Sequence, residues 1–515
     1  MSEPLAKCMP DEPSAWSWEL REKSEGILGS SDAALGRLWS MTHAFGSFCK
    51  KAMEDAEGPD IKEYMSTASV ARDMLEITER HAEHTAEQRV QLAGWKTGKR
   101  LNSDYRPGAA KLLYWGFSYG TFIGSTFASM FPDRIGRVVL DGVVSSYDYM
   151  NNLGNGSLTD SEKTMHSFYT YCHAAGPASC ELATPNSTVL DIEQRSQTII
   201  QSLYHAPLPL NTPSGPEVLT WSDVKILLFA STYHPQLVFP LVATLLAAIE
   251  AGGGHELDTL ITANPISHPY SCPVVNGTMP APDSPPNPHP NVAMNAVLCG
   301  DGHDQTALTL PAFTPYWHAM HSAFPTAGSV WSMLRMRCAA WPIRPRHRFP
   351  DPFAAPKATT AHPLLFLSTT ADPVTPLRSA RLMHRIFPGS ALVVVDGAGH
   401  TSLAVPNACS LAHIRRYFQT GAVPRRPGPV LCVPPPSPWS LNSTDPASPF
   451  YDPALGEGGA AVQDEAEAQE RGLRAVGVRI MERVVGSGVF GFYQHVLRSS
   501  RVVVSGVGTT ASLVQ

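Results

Sequence analysis

The chain has 515 residues, with 39 Lys and Arg against 45 Asp and Glu, a formal net charge of −6 and a pI near 6.3. This near balance leaves no electrostatic footprint for nucleic acid or an anionic membrane, and 43% hydrophobic against 16% charged residues excludes a disordered chain. No run of about 18 apolar residues occurs, so no transmembrane helix is expected.

In chain order, residues 60–84 read as a helix. Tyr64, Ala68, Ala71 and Leu75 form an apolar stripe, with Asp60 as cap and Glu63 completing a capping box. A strand is predicted at 111–117, a helix at 121–131, a turn at Pro132-Asp133 and a second strand at 137–144. Residues 147–361 then form a long insertion with helical pieces SEKTMHSFYTYCHAAG, STVLDIEQRSQTIIQSLYH and LVFPLVATLLAAIEAG, and a Pro-rich run at 280–291. Strand and turn PLLFLSTTADPVTP, helix RSARLMHRIF, strand ALVVVDGAGH and a helix ending near Phe418 follow. Beyond Cys432 come Pro-rich sequence, an acidic helix-like run at 462–470 and a Val/Gly/Ser-rich end. Apolar runs alternating with helices predict a parallel, doubly wound sheet.

One turn carries chemistry. Gly116-Phe117-Ser118-Tyr119-Gly120 follows an apolar strand and opens a helix, the setting in which Gly-x-Ser-x-Gly lifts a serine hydroxyl above the sheet on a sharp, strained turn. A serine needs a base, and the base needs an acid to fix its tautomer. Asp372, in TADPVTP, and His400, after Gly397-Ala398-Gly399, both stand just past predicted strands, where open parallel sheets build their sites. The glycines allow a tight loop that turns the ring toward the serine, and Asp396 is expected to support that loop. The catalytic set is therefore Ser118, Asp372 and His400. The Tyr119 backbone N–H serves as an oxyanion donor, and no cofactor or metal is called for.

Other features are set aside. Gly486-x-Gly488-x-x-Gly491 matches a dinucleotide fingerprint, but it follows no strand and no Asp or Glu occurs after Glu482. Cys299, Asp301, His303 and Asp304 are a poor metal set. Arg344, Arg346, His347 and Arg348 read as a solvated surface. Glu250 or Asp301 could meet a substrate amine, but lid packing is the favoured reading.

The segments YWGFSYGTFIGSTFASMFPDRIGRVVLDGVV, TADPVTP and DGAGH resemble the tripeptidyl-aminopeptidase-like branch of the α/β-hydrolases, fungal and actinobacterial relatives of the proline iminopeptidases. The resemblance runs from about Ser66 to Val433 and takes in NAVLCGDG and RMRCAAWP. It implies disulfides Cys172–Cys180, Cys299–Cys338 and Cys409–Cys432; Cys8–Cys49 is next in line and Cys272 is left over. Such relatives also carry a glycine-rich Asn-Pro-Gly-Gly-Pro-Gly loop and an Asp-x-Arg-Gly stretch before the nucleophile strand, and neither is in this sequence. The expectation is therefore a sheet without its first strands. The nucleophile strand would form an edge and Tyr119 N–H would be the one remaining oxyanion donor, a deficit of about 10²–10³ in turnover. The N-terminal stretch MSEPLAKCMPDEPSAW is not a signal peptide. Nine cysteines and sequons at Asn155, Asn186, Asn276 and Asn442 nonetheless point to a secretory origin for a full-length form.

The expected architecture is an α/β-hydrolase core at 1–145 and 361–435, a lid at 146–360 and an extension at 436–515. Three functions are carried forward. The first is a serine hydrolase acting as an aminopeptidase on short peptides. The second is an esterase or amidase tailoring a small specialised metabolite. The third is an inactive, truncated product. The partner is a small molecule or short peptide, with no nucleic acid and no membrane.

Overall fold

In the computed structural model, which describes residues 6–97, 105–152, 154–212, 215–254, 257–258, 290–349, 359–424 and 428–455, the apolar runs become a parallel sheet. Its strands are β1 (Leu112–Phe117), β2 (Ile135–Asp141), β5 (Leu365–Ala371), β6 (Ala391–Ala398) and β7 (Val430–Cys432), side by side in that order. β3 (Leu208–Thr212) and β4 (Gly215–Leu219) form a separate antiparallel hairpin. Every residue of β5 and β6 is buried, which is why Leu365–Leu367 and Ala391–Val395 are continuously apolar rather than alternating.

Both faces of the sheet are covered. Val138, Leu140, Phe366 and Val394 pack against Ala71 of α3 (Thr67–Thr97), Phe127 of α4 (Tyr119–Met130), and Ala380 and Met383 of α13 (Leu377–Ile386). The alternate residues Val139, Leu365, Leu367, Val393 and Val395 meet Ile414 and Tyr417 of α14 (Ala408–Thr420). This is the doubly wound arrangement the alternation of strand and helix predicts, and the fold is that of an α/β-hydrolase. Among the described residues β1 pairs with β2 alone, and Leu113 is 69% exposed there.

The long segment between β2 and β5 is helical: α5 (Ser146–Asn151), α6 (Ser161–Ala175), α7 (Val189–His205), α8 (Trp221–Ser231), α9 (Pro235–Glu250), α10 (Pro290–Asp301), α11 (Leu310–Ala323) and α12 (Gly328–Ala339). Phe168, Ile199, Leu228, Phe239 and Leu246 centre a core of its own. Thr188 and Thr220 start α7 and α8 with reciprocal capping boxes to Asp191 and Asp223. No helix among the described residues is long and apolar enough to cross a membrane.

The structure departs from the sequence reading at the start of α3 and in the packing of α1 and α2, and it adds partners to the basic cluster. The helix expected from residue 60 begins at Thr67; Asp60 instead caps a 3₁₀ turn, Ile61–Glu63, accepting Lys62 N–H at 2.8 Å. The cause is side-chain competition: Asp60 also holds the buried Lys62 ammonium, and Glu63 pairs with Arg346. The basic cluster is exposed at Arg346, His347 and Arg348, as the solvated-surface reading expects, and it also has backbone partners. Arg344 donates to the carbonyls of Cys299 and Gly302, and Arg348 to those of Asp301 and Gly302, so two cations close the C-terminus of α10. Finally, α1 (Glu12–Ser24) and α2 (Ala34–Glu54), grouped by sequence position with the sheet, pack on the insertion. Leu38 meets Phe313 and Met336, while Phe45 meets Trp341.

The disulfides are Cys8–Cys49, Cys172–Cys180, Cys299–Cys338 and Cys409–Cys432. Cys272, Asn276, the glycine motif at 486–491, the acidic run at 462–470 and most of the Pro-rich run lie outside the described residues.

Gly124 sets how closely α4 approaches the sheet, since an added Cβ would lie 2.5 Å from Leu140 Cδ2 and 3.0 Å from the Tyr114 ring. Gly124→Ala is expected to cost about 1–3 kcal/mol by overpacking, read as a lower urea midpoint with an unchanged slope.

Candidate active site

Parallel pairing points the C-terminal ends of four strands the same way. Phe117 pairs with Asp141 and Ala371 with Ala398, while Asp141 pairs with Leu367, so β5 and β6 run on past the end of β2. Ser118, Gly142, Asp372 and Gly399 therefore leave the sheet at one rim, and His400 follows directly.

Ser118 sits between β1 and α4 at φ 54°, ψ −124°. For a residue with a side chain this is strained backbone, and the surroundings enforce it. Its N–H donates to the Asp141 carbonyl at 3.1 Å, and its own carbonyl accepts from Thr121 N–H at 2.8 Å and Thr121 Oγ1 at 2.6 Å. A Cβ on Gly116 would lie 2.5 Å from the Gly120 carbonyl oxygen, so no larger residue fits below the turn. Tyr119 is the first residue of α4, where the helix leaves N–H groups unused.

Asp372 is completely buried, and its carboxylate is saturated. Oδ1 accepts from Val374 N–H at 3.1 Å and Thr375 N–H at 2.8 Å, Oδ2 accepts from Thr401 N–H at 2.9 Å, and His400 Nδ1 lies 3.0 Å from both oxygens. A carboxylate can only accept, so Nδ1 is the donor and the free lone pair of the ring is on Nε2. His400 Nε2 has no hydrogen-bond partner among the described residues, Ser118 included. Gly399, at φ 127°, precedes the histidine, and Thr401, at φ 68°, follows it. A Cβ at Gly142 would stand 3.3 Å from His400 Cε1. The histidine thus lies over the residue that follows the serine's own backbone acceptor.

The insertion holds this rim. Tyr233, between α8 and α9, accepts the His400 N–H through its carbonyl at 2.9 Å, and its ring stands edge-on to the imidazole at 5.0 Å. On α6, Lys163 Nζ donates to the Thr370 carbonyl at 2.8 Å and Thr164 Oγ1 to that of Ala371 at 2.9 Å. The neighbouring His234 is pushed down to about 4 by burial and by the proximity of His400, so it stays neutral where a general base operates.

Several residues take roles the sequence announces only in part. Asp301 is engaged within the fold, the reading favoured from the sequence. It accepts from Thr67 N–H at 2.8 Å, Thr67 Oγ1 at 2.5 Å and Tyr149 OH at 3.2 Å, while Tyr119 OH donates to Thr67 Oγ1 at 2.6 Å. The residue next to the serine is thereby tied to α3 and α10. Glu250 is paired with Arg195 on the exterior. Asp396 accepts from Thr370 Oγ1 and from Ser443 N–H, fastening the segment after Cys432 to the sheet. Asp141, also fully buried, accepts Ser402 N–H at 2.8 Å and Ser402 Oγ–H at 2.5 Å. A carboxylate at the end of a parallel strand was the available signal for Asp141; nothing in the sequence marks Tyr233 or Thr67. Cys409, His413 and Cys432 cluster within 4.8 Å, but the two sulfurs are bonded to each other and offer no thiolate.

Residues 323–429 match the α/β-hydrolase family model described as TAP-like protein. Asp372 and His400 lie inside that span and Ser118 outside it. The chain is 25% identical to the tripeptidyl aminopeptidase of Streptomyces coelicolor over 339 residues, 64% of this chain and 55% of that protein. It is 26% identical to the serine protease Hip1 of Mycobacterium bovis over 341 residues, 62% of this chain and 57% of that protein. The chain thus spans little more than half the length of these relatives.

Asp160 gives the rim a pH dependence. It accepts the Leu377 N–H at 3.3 Å, and burial, opposed by Lys163, raises its pKa from 3.8 to about 6. The folded state therefore favours the neutral acid, and this group's stabilisation is full below about pH 4 and lost as pH rises through about 6. Asp160→Asn, which keeps an acceptor for Leu377, is expected to match the wild-type Tm at pH 4 and to exceed it by several degrees at pH 8. Scanning calorimetry across that range checks it.

Proposed function

We propose that this chain, a TAP-like α/β-hydrolase, is a serine hydrolase that cleaves short peptides from their N-terminal end through an acyl-enzyme. The observation that carries the reading is the buried Asp372–His400 pair, standing on the rim next to a serine held at positive φ. In this reading His400 Nε2 takes the Ser118 proton as Oγ attacks the carbonyl carbon, then returns it to the leaving amine. Asp372 holds the ring in the Nδ1–H form and balances the imidazolium. Tyr119 N–H, at the positive end of the α4 dipole, stabilises the oxyanion. Water then attacks the acyl carbon, and His400 acts again as base. The tetrahedral step requires Nε2 to come within hydrogen-bond reach of Oγ, a contact that commonly tightens only when substrate is bound. The peptide preference is supported by relatives named as a tripeptidyl aminopeptidase and a serine protease.

A secretory route accompanies this function. Four disulfides support it, as does the exposure of Asn155, Asn186 and Asn442, the three sequon asparagines among the described residues.

A fluorophosphonate probe is expected to label the purified chain. Ser118→Ala and His400→Ala should abolish labelling, and Asp372→Asn should slow it by about 10⁴, because the wrong tautomer is then favoured. Fluorogenic aminoacyl and tripeptidyl amides should be turned over faster than short acyl esters; the reverse order would overturn the peptide assignment. Absence of labelling in folded wild-type protein would overturn the hydrolase assignment. Expression through a eukaryotic secretory pathway should give a product whose mass falls on N-glycosidase treatment, and an unchanged mass would remove the glycan assignment.

A further inference from the structure

We propose that Asp141 is a positioning residue that sets the distance between nucleophile and base, an inference that rests on the serine-hydrolase reading above. The rim is built from two halves. Ser118 belongs to the β1–β2 pair, whereas Asp372 and His400 belong to the β5–β6 pair and its loops. The Asp372 hydrogen bonds orient the imidazole within the second half only, because every donor to that carboxylate comes from residues 374–401. They do not fix how far the ring stands from Ser118. The two halves meet along β2 and β5, whose register comprises only Val139 to Asp141 against Leu365 to Leu367.

Asp141 is the last residue of that seam and reaches both ways. Its main-chain carbonyl accepts the Ser118 N–H at 3.1 Å. Its side chain accepts both polar hydrogens of Ser402, two residues after the histidine. Gly142 then runs directly beneath the ring, where a Cβ would stand 2.7 Å from Thr401 Cγ2. One residue therefore clasps the serine turn with its backbone and the histidine loop with its carboxylate. Asp141 is 0% exposed and Ser402 3%, so water cannot replace the lost bonds, and deleting the carboxylate would leave two buried donors unpaired. The loop must then shift to satisfy them, carrying His400 with it. A displacement of about 1 Å between reacting groups is enough to cost on the order of 10² in rate.

The test uses the full chain with Asp141→Ala, Asp141→Asn, Ser402→Ala and the Asp141→Ala/Ser402→Ala double variant, each assayed well below its Tm. Fluorophosphonate labelling should slow by about 30–100-fold in Asp141→Ala and less in Ser402→Ala, which keeps one of the two bonds. Asp141→Asn, which still accepts one hydrogen, should fall between wild type and Asp141→Ala. The double variant should be no slower than Asp141→Ala alone, since both changes break the same link; a loss of packing unrelated to that link would multiply instead. With a turned-over substrate, kcat should fall while KM holds. Hydrogen exchange read by mass spectrometry should rise in residues 399–405 of Asp141→Ala and Ser402→Ala.

Labelling of Asp141→Ala within about twofold of wild type, multiplicative losses, or unchanged exchange at 399–405 would each overturn the proposal. If Asp141→Ala does not fold, Asp141→Asn and Ser402→Ala carry the same comparison. An unlabelled wild type would overturn the serine-hydrolase reading instead, and the exchange measurement would then decide whether Asp141 holds the loop.

Discussion

A carboxylate with no access to water must be given its hydrogen bonds by the protein, and Asp372 receives them from two loops that leave neighbouring strands. That requirement organises the rim. Val374 and Thr375 donate from the turn after β5, while Thr401 and the His400 ring donate from the turn after β6. Both loops are thereby fixed on one anion, which belongs to the turn after β5, and the imidazole has one orientation available. The left-handed backbone of Thr401 fits the same logic: its N–H must point at Oδ2, and the chain accepts an unfavourable φ to deliver it.

The insertion is built onto this arrangement rather than hinged over it. α6 bonds the last carbonyls of β5, Asp160 accepts from the first residue of α13, and the Tyr233 carbonyl holds the histidine's own N–H. Backbone groups left over at the ends of the strands would otherwise need water. Using helices of the insertion to satisfy them makes the acid and histidine loops a shared boundary between the two layers. The same economy appears on the other flank, where Asp301 serves the start of α3 and, through Thr67, the hydroxyl of Tyr119.

Much of this was legible in the sequence for a simple reason. Strands packed between two layers are rich in apolar residues, so β1, β2, β5 and β6 stand out as runs, and the residues just beyond them fall on one rim. That rule, with the Gly-x-Ser-x-Gly turn and the glycines before His400, is what singles out Ser118, Asp372 and His400. What stays hidden depends on partners far away in sequence. Asp60 looks like a helix cap until a buried lysine claims it. Arg344 and Arg348 give no sign of their carbonyl partners until the end of α10 is placed beside them. Asp141 reads as one more strand-end residue until Ser402 folds over it. The packing of α1 and α2 on the insertion depends on Phe313, Met336 and Trp341, whose position no local pattern gives.

Adjacent strands β2 and β5 are separated by the whole insertion, and this shapes how the molecule must be made. At roughly 5–20 residues per second, a ribosome spends on the order of ten seconds or more between finishing Asp141 and finishing Leu367. Throughout that interval the β1–β2 pair exists without the neighbour that will cover Val139, Leu140 and Asp141. The insertion has its own apolar core and the Cys172–Cys180 bridge, so it can consolidate first and present α6 and Tyr233 as a ready surface for β5 and β6. Synthesis thus follows sheet order but with a long pause at the β2–β5 seam, and the half-built sheet is the species a chaperone would meet.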